Sequence, residues 1–132
     1  MDEKKLFFDE NESWISIDSD IATIGITKES AEKVEEFVFA NLPKVGKVIK
    51  KGDVYLSLEA VKWSGHIQSP LSGEIIEVNE KVFDEPSLIN KAPYDTWVVK
   101  LRISNQQEKA SLLSYEQKQE MKNLGINAEV SR

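Results

Sequence analysis

One lysine and the chain's single histidine stand four residues apart in Val54-Tyr-Leu-Ser-Leu-Glu-Ala-Val-Lys62-Trp-Ser-Gly-His66. Val54, Leu56, Leu58 and Ala60 alternate as a half-buried strand does, with the strand running to Val61 and Gly65 supplying the unusual dihedral that closes a turn. A lysine at a hairpin tip is either a solvated turn residue or a handle that a modifying enzyme reaches in a fixed, protruding geometry. An amide on its ε-nitrogen would remove the charge and leave a long tether, which raises the concentration of a bound intermediate at separate active sites. His66 by itself supports little chemistry. It has no cysteine partner, no second histidine for a metal and no serine motif beside it.

The rest of the chain is short of catalytic equipment. No Gly-rich phosphate loop of standard spacing occurs, and the acidic residues are scattered over polar faces rather than paired. Without cysteine there are no disulfides, thiolate nucleophiles or thiolate metal sites. The formal net charge of −6 argues against a nucleic-acid surface, which needs a basic stripe. The stretch MDEKKLFFDENE is not a secretory signal, and no apolar run approaches a membrane span. A cytoplasmic domain, or one in an organelle matrix, is the expectation.

The elements that must position Lys62 read as mostly β. Ala22, Ile24 and Ile26 share one face of a strand, as do Trp97, Val99, Leu101 and Ile103. Glu36 to Leu42 is a further β-rich run ended by Pro43, and a short helix is predicted from Lys28 to about Val34 with Thr27 as N-cap. In the tail, Ser114-Tyr-Glu-Gln117 fits a capping box, so a helix is predicted from about Tyr115 to Leu124, ended by Gly125 and preceded by a turn near Glu108 to Leu113. A single domain follows, with a core over about 12–104, a helical segment over about 105–125 and a frayed tail at 126–132.

Pro43-Lys-Val-Gly46 through Gly52 resembles Pro70-Leu-Ser-Gly73 through Asn79, at a constant offset of 27 residues. Either turn residues match by chance, or two half-structures are related by a pseudo-twofold axis with Lys62 between them. On the second reading Gly52 and Asn79 make equivalent positive-φ turns.

Leu58-Glu-Ala-Val-Lys62 followed by Ser69-Pro-Leu-Ser-Gly-Glu-Ile-Ile-Glu-Val-Asn-Glu80 resembles the lipoyl-attachment region of the glycine cleavage system H-protein family. So do Ile21 to Thr27, Phe37 to Pro43, and Leu88 to Tyr94 with Trp97, in family order from about Trp14 to Tyr115. The resemblance implies a flattened β-barrel or sandwich of the biotinyl/lipoyl-carrier (barrel-sandwich hybrid) type with helical additions. It also implies lipoate amide-linked to Lys62, with Glu59 and Gly65 shaping the recognised hairpin. The implied partners are a lipoate ligase or lipoyl transferase, glycine decarboxylase, aminomethyltransferase and dihydrolipoyl dehydrogenase; the chain itself would be a non-catalytic carrier. A biotin carrier shares the fold but flanks its lysine with methionines, where this chain has Val61 and Trp63.

The family carries a cationic aminomethyl cargo, which implies a cleft with acids to hold it. Here the family's serine, histidine and glutamate positions are Asn11, Glu12 and Ser13. Its aspartate four residues after the lysine is His66, and its small residues after the lysine are Trp63 and Ser64. Asn11, Glu12, Ser13, Trp63 and His66 are therefore the candidate cleft residues. Trp63 either packs over the barrel end or reshapes the cleft for other cargo. The latter would suit H-protein-like carriers that serve a sulfur-oxidising heterodisulfide-reductase-like complex. An unmodified β-domain acting as an interaction module is the remaining class.

Overall fold

The structure, a computed structural model, describes residues 2–123. Leu124 and Gly125, expected to end the last helix, and the tail expected to fray lie outside those residues. The strands and helices, in chain order, begin with β1 Phe7–Phe8, β2 Ser13–Asp18 and β3 Ile21–Ile26. They continue with α1 Lys28–Glu32, β4 Phe37–Asn41, β5 Val48–Ile49, β6 Val54–Ala60, β7 Trp63–Gln68 and β8 Gly73–Val78. The last are α2 Glu80–Asp84, α3 Leu88–Lys91, β9 Trp97–Ile103, β10 Leu113–Ser114 and α4 Tyr115–Asn123. A 3-10 helix at Gln106–Ser111 replaces the turn expected slightly later, near Glu108 to Leu113.

The strands form two antiparallel sheets, ordered β10-β1-β2-β3-β9-β8-β5 and β4-β6-β7. They face one core, with Ile24, Ile75 and Leu101 from the larger sheet and Leu56, Leu58 and Ile67 from the smaller. The expected flattened sandwich is present, but the two sheets are not joined into one closed barrel. Burying a set of aliphatic side chains from both layers supplies the main driving force, on the order of 1.5–3 kcal/mol for each one fully buried.

Local chemistry sets several of these elements as the sequence predicts. Thr27 caps α1, its hydroxyl accepting from the Ser30 N–H at 3.2 Å. The capping box before α4 is reciprocal: the Gln117 N–H donates to Ser114 Oγ at 3.1 Å and the Ser114 N–H to Gln117 Oε1 at 2.8 Å. Pure alternation fails in two strands, and β-bulges are the cause. A register shift between Val54 and Leu56 turns Tyr55 into the core and leaves Val54 exposed. A second shift, where Gly25 pairs with Trp97 and Ile24 with Val99, buries Val98 and moves Trp97 off the core face. Trp97 joins Leu6, Phe8 and Trp14 in a separate apolar cluster.

The two repeated segments lie side by side. Val48 pairs with Glu74, and the equivalent Ile75 N–H donates to the Lys47 carbonyl at 2.9 Å, so the pairing itself obeys the 27-residue shift. This is what a local twofold axis between the segments requires. The equivalence of the turns does not hold. Gly52 takes φ 95°, while Asn79 has φ −89° and caps α2 by accepting from the Lys81 N–H. Asparagine supplies a side-chain acceptor where glycine cannot, so the second copy starts a helix instead of a positive-φ turn.

Candidate functional site

The β6–β7 hairpin is closed by two residues. Ala60 pairs with Trp63, so Val61 and Lys62 form the tip. The strand ends one residue before the expected Val61. No residue of the tip takes positive φ, and Gly65 does not close the turn as expected; it lies inside β7 opposite Leu58. Its smallness serves another purpose. A Cβ on Gly65 would lie 2.5 Å from Cη2 and Cζ2 of Trp63, whose ring lies across that glycine.

Lys62 is exposed, and its amine engages no hydrogen bond or ion pair with a described residue. An amide needs an accessible primary amine, and a protruding two-residue turn presents one to a modifying enzyme, so this position fits a covalent lipoyl group. Glu59 is exposed on the strand leading to the tip, paired with Ser64 and with Phe39.

Trp63 and His66, which both follow the expected attachment point, sit on opposite faces of the hairpin, because side chains alternate along β7. Trp63 is on the core side with Gly65 and Ile67, its ring 5.8 Å from that of buried Phe37. His66 is on the outer side, where Ser57 Oγ and His66 Nδ1 are 2.8 Å apart across the strand pair. A strand rise of about 3.3 Å per residue puts His66 roughly 13 Å from Lys62 and Gln68 roughly 20 Å away.

Asn11 and Glu12 belong to the β1–β2 turn and Ser13 opens β2, near the other end of the hairpin. Asp9 organises this turn: its Oδ1 accepts from the Asn11 N–H at 3.0 Å and from the Ser13 N–H at 3.1 Å. Ser13 is buried and shares a 2.8 Å hydrogen bond with the Tyr55 hydroxyl, which joins the turn to β6. Glu12 is half-buried, and its carbonyl accepts from the Thr27 N–H at 2.8 Å. Asp9, Asn11, Lys51, Gln68, Ser69 and Ser111 help line a surface cleft of about 140 Å³. Among the described residues no hydrogen bond or ring contact joins His66 or Trp63 to Asn11, Glu12 or Ser13. The five candidate cleft residues therefore divide into a turn group at the hairpin base and two positions nearer the tip.

Asp9 and Tyr55 were invisible as site residues in the sequence, because their partners are brought in by folding. Burial is the main reason the Asp9 carboxyl is pushed up to about 6, against the opposing effect of its two backbone donors. Burial likewise pushes the Tyr55 hydroxyl far up, so it remains a neutral donor to or acceptor from Ser13.

The folded chain therefore holds a proton on Asp9 between about pH 4 and 6 that the unfolded chain has released, and stability falls as pH rises through that window. Asp9→Asn keeps an acceptor for both N–H groups and removes the titration. Its stability relative to the parent is expected to rise from near zero at pH 4 to about 2 kcal/mol at pH 7, below the full conversion because Asp9 retains some water. Urea unfolding at a series of pH values measures this, and parallel profiles for the two proteins would contradict it.

Comparison with known proteins is consistent with this geometry. The profile described as "Glycine cleavage H-protein" matches residues 6–124. The glycine cleavage system H protein of Thermotoga maritima is 44% identical over 108 residues, covering 81% of this chain and 87% of that protein. The probable glycine cleavage system H protein of Aeropyrum pernix is 38% identical over 115 residues, covering 86% and 80%. A crystal structure of the H protein from Mycobacterium marinum superposes with a TM-score of 0.79 over 92% of this chain and 98% of its own, at 24% identity, and supports the fold. By profile, by sequence identity over most of its length and by architecture, this chain belongs to the glycine cleavage H-protein family.

Proposed function

We propose that Lys62 is the lipoyl attachment point and that this chain works as the non-catalytic, arm-bearing component of glycine cleavage. Proteins of this family carry lipoate covalently on a lysine. The observation that carries the assignment to this lysine is its place at the tip of a two-residue hairpin, with no partner for its amine among the described residues. Lipoate supplies a redox-active disulfide at the end of a long tether.

The chain's own residues supply presentation and reach. The β6–β7 pairing holds the tip away from the core, and Glu59 marks the approach to it for a lipoate ligase or lipoyl transferase. A lysyl-lipoyl arm of about a dozen bonds extends roughly 14 Å, which brings its end level with Ser57 and His66 and short of the cleft at Gln68. We assign the Ser57–His66 pair, rather than Asn11, as the polar contact nearest the loaded arm. Glu12 and Asp9 provide negative charge beyond it. Glycine decarboxylase, aminomethyltransferase and dihydrolipoyl dehydrogenase are the partners this reading requires, in a cytoplasmic or organelle-matrix setting. The names of the relatives favour glycine cleavage over a sulfur cargo.

The test is reconstitution. Lipoylated protein, mixed with those three enzymes, is expected to support release of carbon dioxide from glycine. Failure of a folded sample whose lipoylation has been verified by mass would overturn the glycine-cleavage reading.

A further inference from the structure

The indole of Trp63 stands immediately beside the attachment residue and is only partly used by the fold. One side of it is explained: it lies across Gly65 and packs against Phe37, closing the core at the hairpin end. Even so, 40% of Trp63 remains exposed, next to Val61 at 85%. Leaving a large ring open to water forfeits the gain of burying it. A fold that needed only a plug at this place could use a smaller side chain that buries completely. The ring's place is set on two sides, because Gly65 leaves room for its six-membered part and Phe37 packs against it at 5.8 Å between centroids. Together with Val61, the half-open ring offers apolar matter a surface beside the attachment residue.

We propose that the exposed side of Trp63 is a resting platform for the lipoyl arm, taking its alkyl chain and its cyclic disulfide. This rests on lipoylation of Lys62. The occupant is singled out by covalent continuity: a tether on Lys62 starts next to Val61 and Trp63, the exposed apolar side chains on either side of it in the chain, and Trp63 is the larger. Sulfur against an aromatic ring is an attractive contact, and its usual strength corresponds to a docked arm that outnumbers the undocked one by roughly two- to tenfold. His66, on the opposite side of the hairpin, is not reached from this position. The arm thus has two alternative seats: an apolar one on the core side at Trp63 and a polar one on the outer side at Ser57 and His66.

Fluorescence of Trp63 reads the platform directly, because a disulfide in contact with indole quenches it. Emission from Trp14 and Trp97 is subtracted using Trp63→Phe. Lipoylation is expected to remove about half or more of the Trp63 emission, and reduction of the disulfide by a water-soluble phosphine to restore it. In lipoylated Trp63→Ala the phosphine is expected to act roughly two- to tenfold faster than in the parent. Equal Trp63 emission with and without the arm, in samples whose mass shows the lipoyl increment, overturns the platform and leaves the carrier reading standing. An unchanged reduction rate in Trp63→Ala does the same. Absence of the mass increment overturns the assignment of Lys62, and the platform with it.

Discussion

Gly73→Ala is expected to lower the melting temperature by about 10 °C or more. Gly73 lies between two strands, paired with Ile49 of β5 on one side and Ile103 of β9 on the other. A Cβ there would overlap the carbonyl oxygen of Arg102 and lie 2.9 Å from Cγ of Leu101. The obstacle is backbone held in a ladder, which cannot rotate aside as a flexible side chain does. Overpacking of this kind costs about 3 kcal/mol or more, a large share of the roughly 5–15 kcal/mol that holds a domain together. At this chain length each kcal/mol moves the midpoint by about 3–5 °C. Gly52→Ala makes the useful contrast. Its surroundings are open, and only its φ of 95° opposes a side chain, so a penalty of about 1–2 kcal/mol is expected. Thermal unfolding of both variants checks the ranking, and a midpoint for Gly73→Ala within 2 °C of the parent would contradict it.

Lys62→Arg is expected to have the opposite profile, an unchanged fold with carrier function reduced to background. The side chain is exposed and touches no described partner, so its replacement should change stability by no more than about 0.5 kcal/mol. A guanidinium keeps the positive charge but is not the primary amine from which the lipoyl amide forms. Glycine decarboxylation in the reconstituted system should therefore fall to the level seen without this chain. Near-parental activity from Lys62→Arg would mean that another lysine carries the arm.

Much of this site was legible in the sequence because its elements depend on near neighbours. The alternation in β3, the Thr27 cap and the reciprocal Ser114–Gln117 capping box are all decided within a few residues. The pseudo-repeat was legible too, and in the fold its two copies pair with one another. What sequence alone could not supply depends on strand pairing and long-range partners. The bulges that turn Tyr55 and Val98 inward arise from mismatches between strands, so alternation along one strand misplaced Val54 and Trp97. The short helices α2 and α3 have too few turns to announce themselves. Asn90, in α3, accepts from the Phe37 N–H and donates to the Ala31 carbonyl, holding segments more than fifty positions away. Gly65 looked like a turn residue because glycine so often is; its value here is the space it leaves for Trp63. Asp9 looked like one acid among many until folding placed the Asn11 and Ser13 N–H groups against it and removed most of its water.

Whether Lys62 bears the arm is read without partner enzymes by intact-mass measurement. Protein produced with lipoate and a lipoate ligase is expected to gain a single lipoyl increment, and Lys62→Arg prepared in the same way to gain none. No increment on the parent chain would mean that it carries no arm, and an increment that persists in Lys62→Arg would mean that Lys62 is not the attachment point.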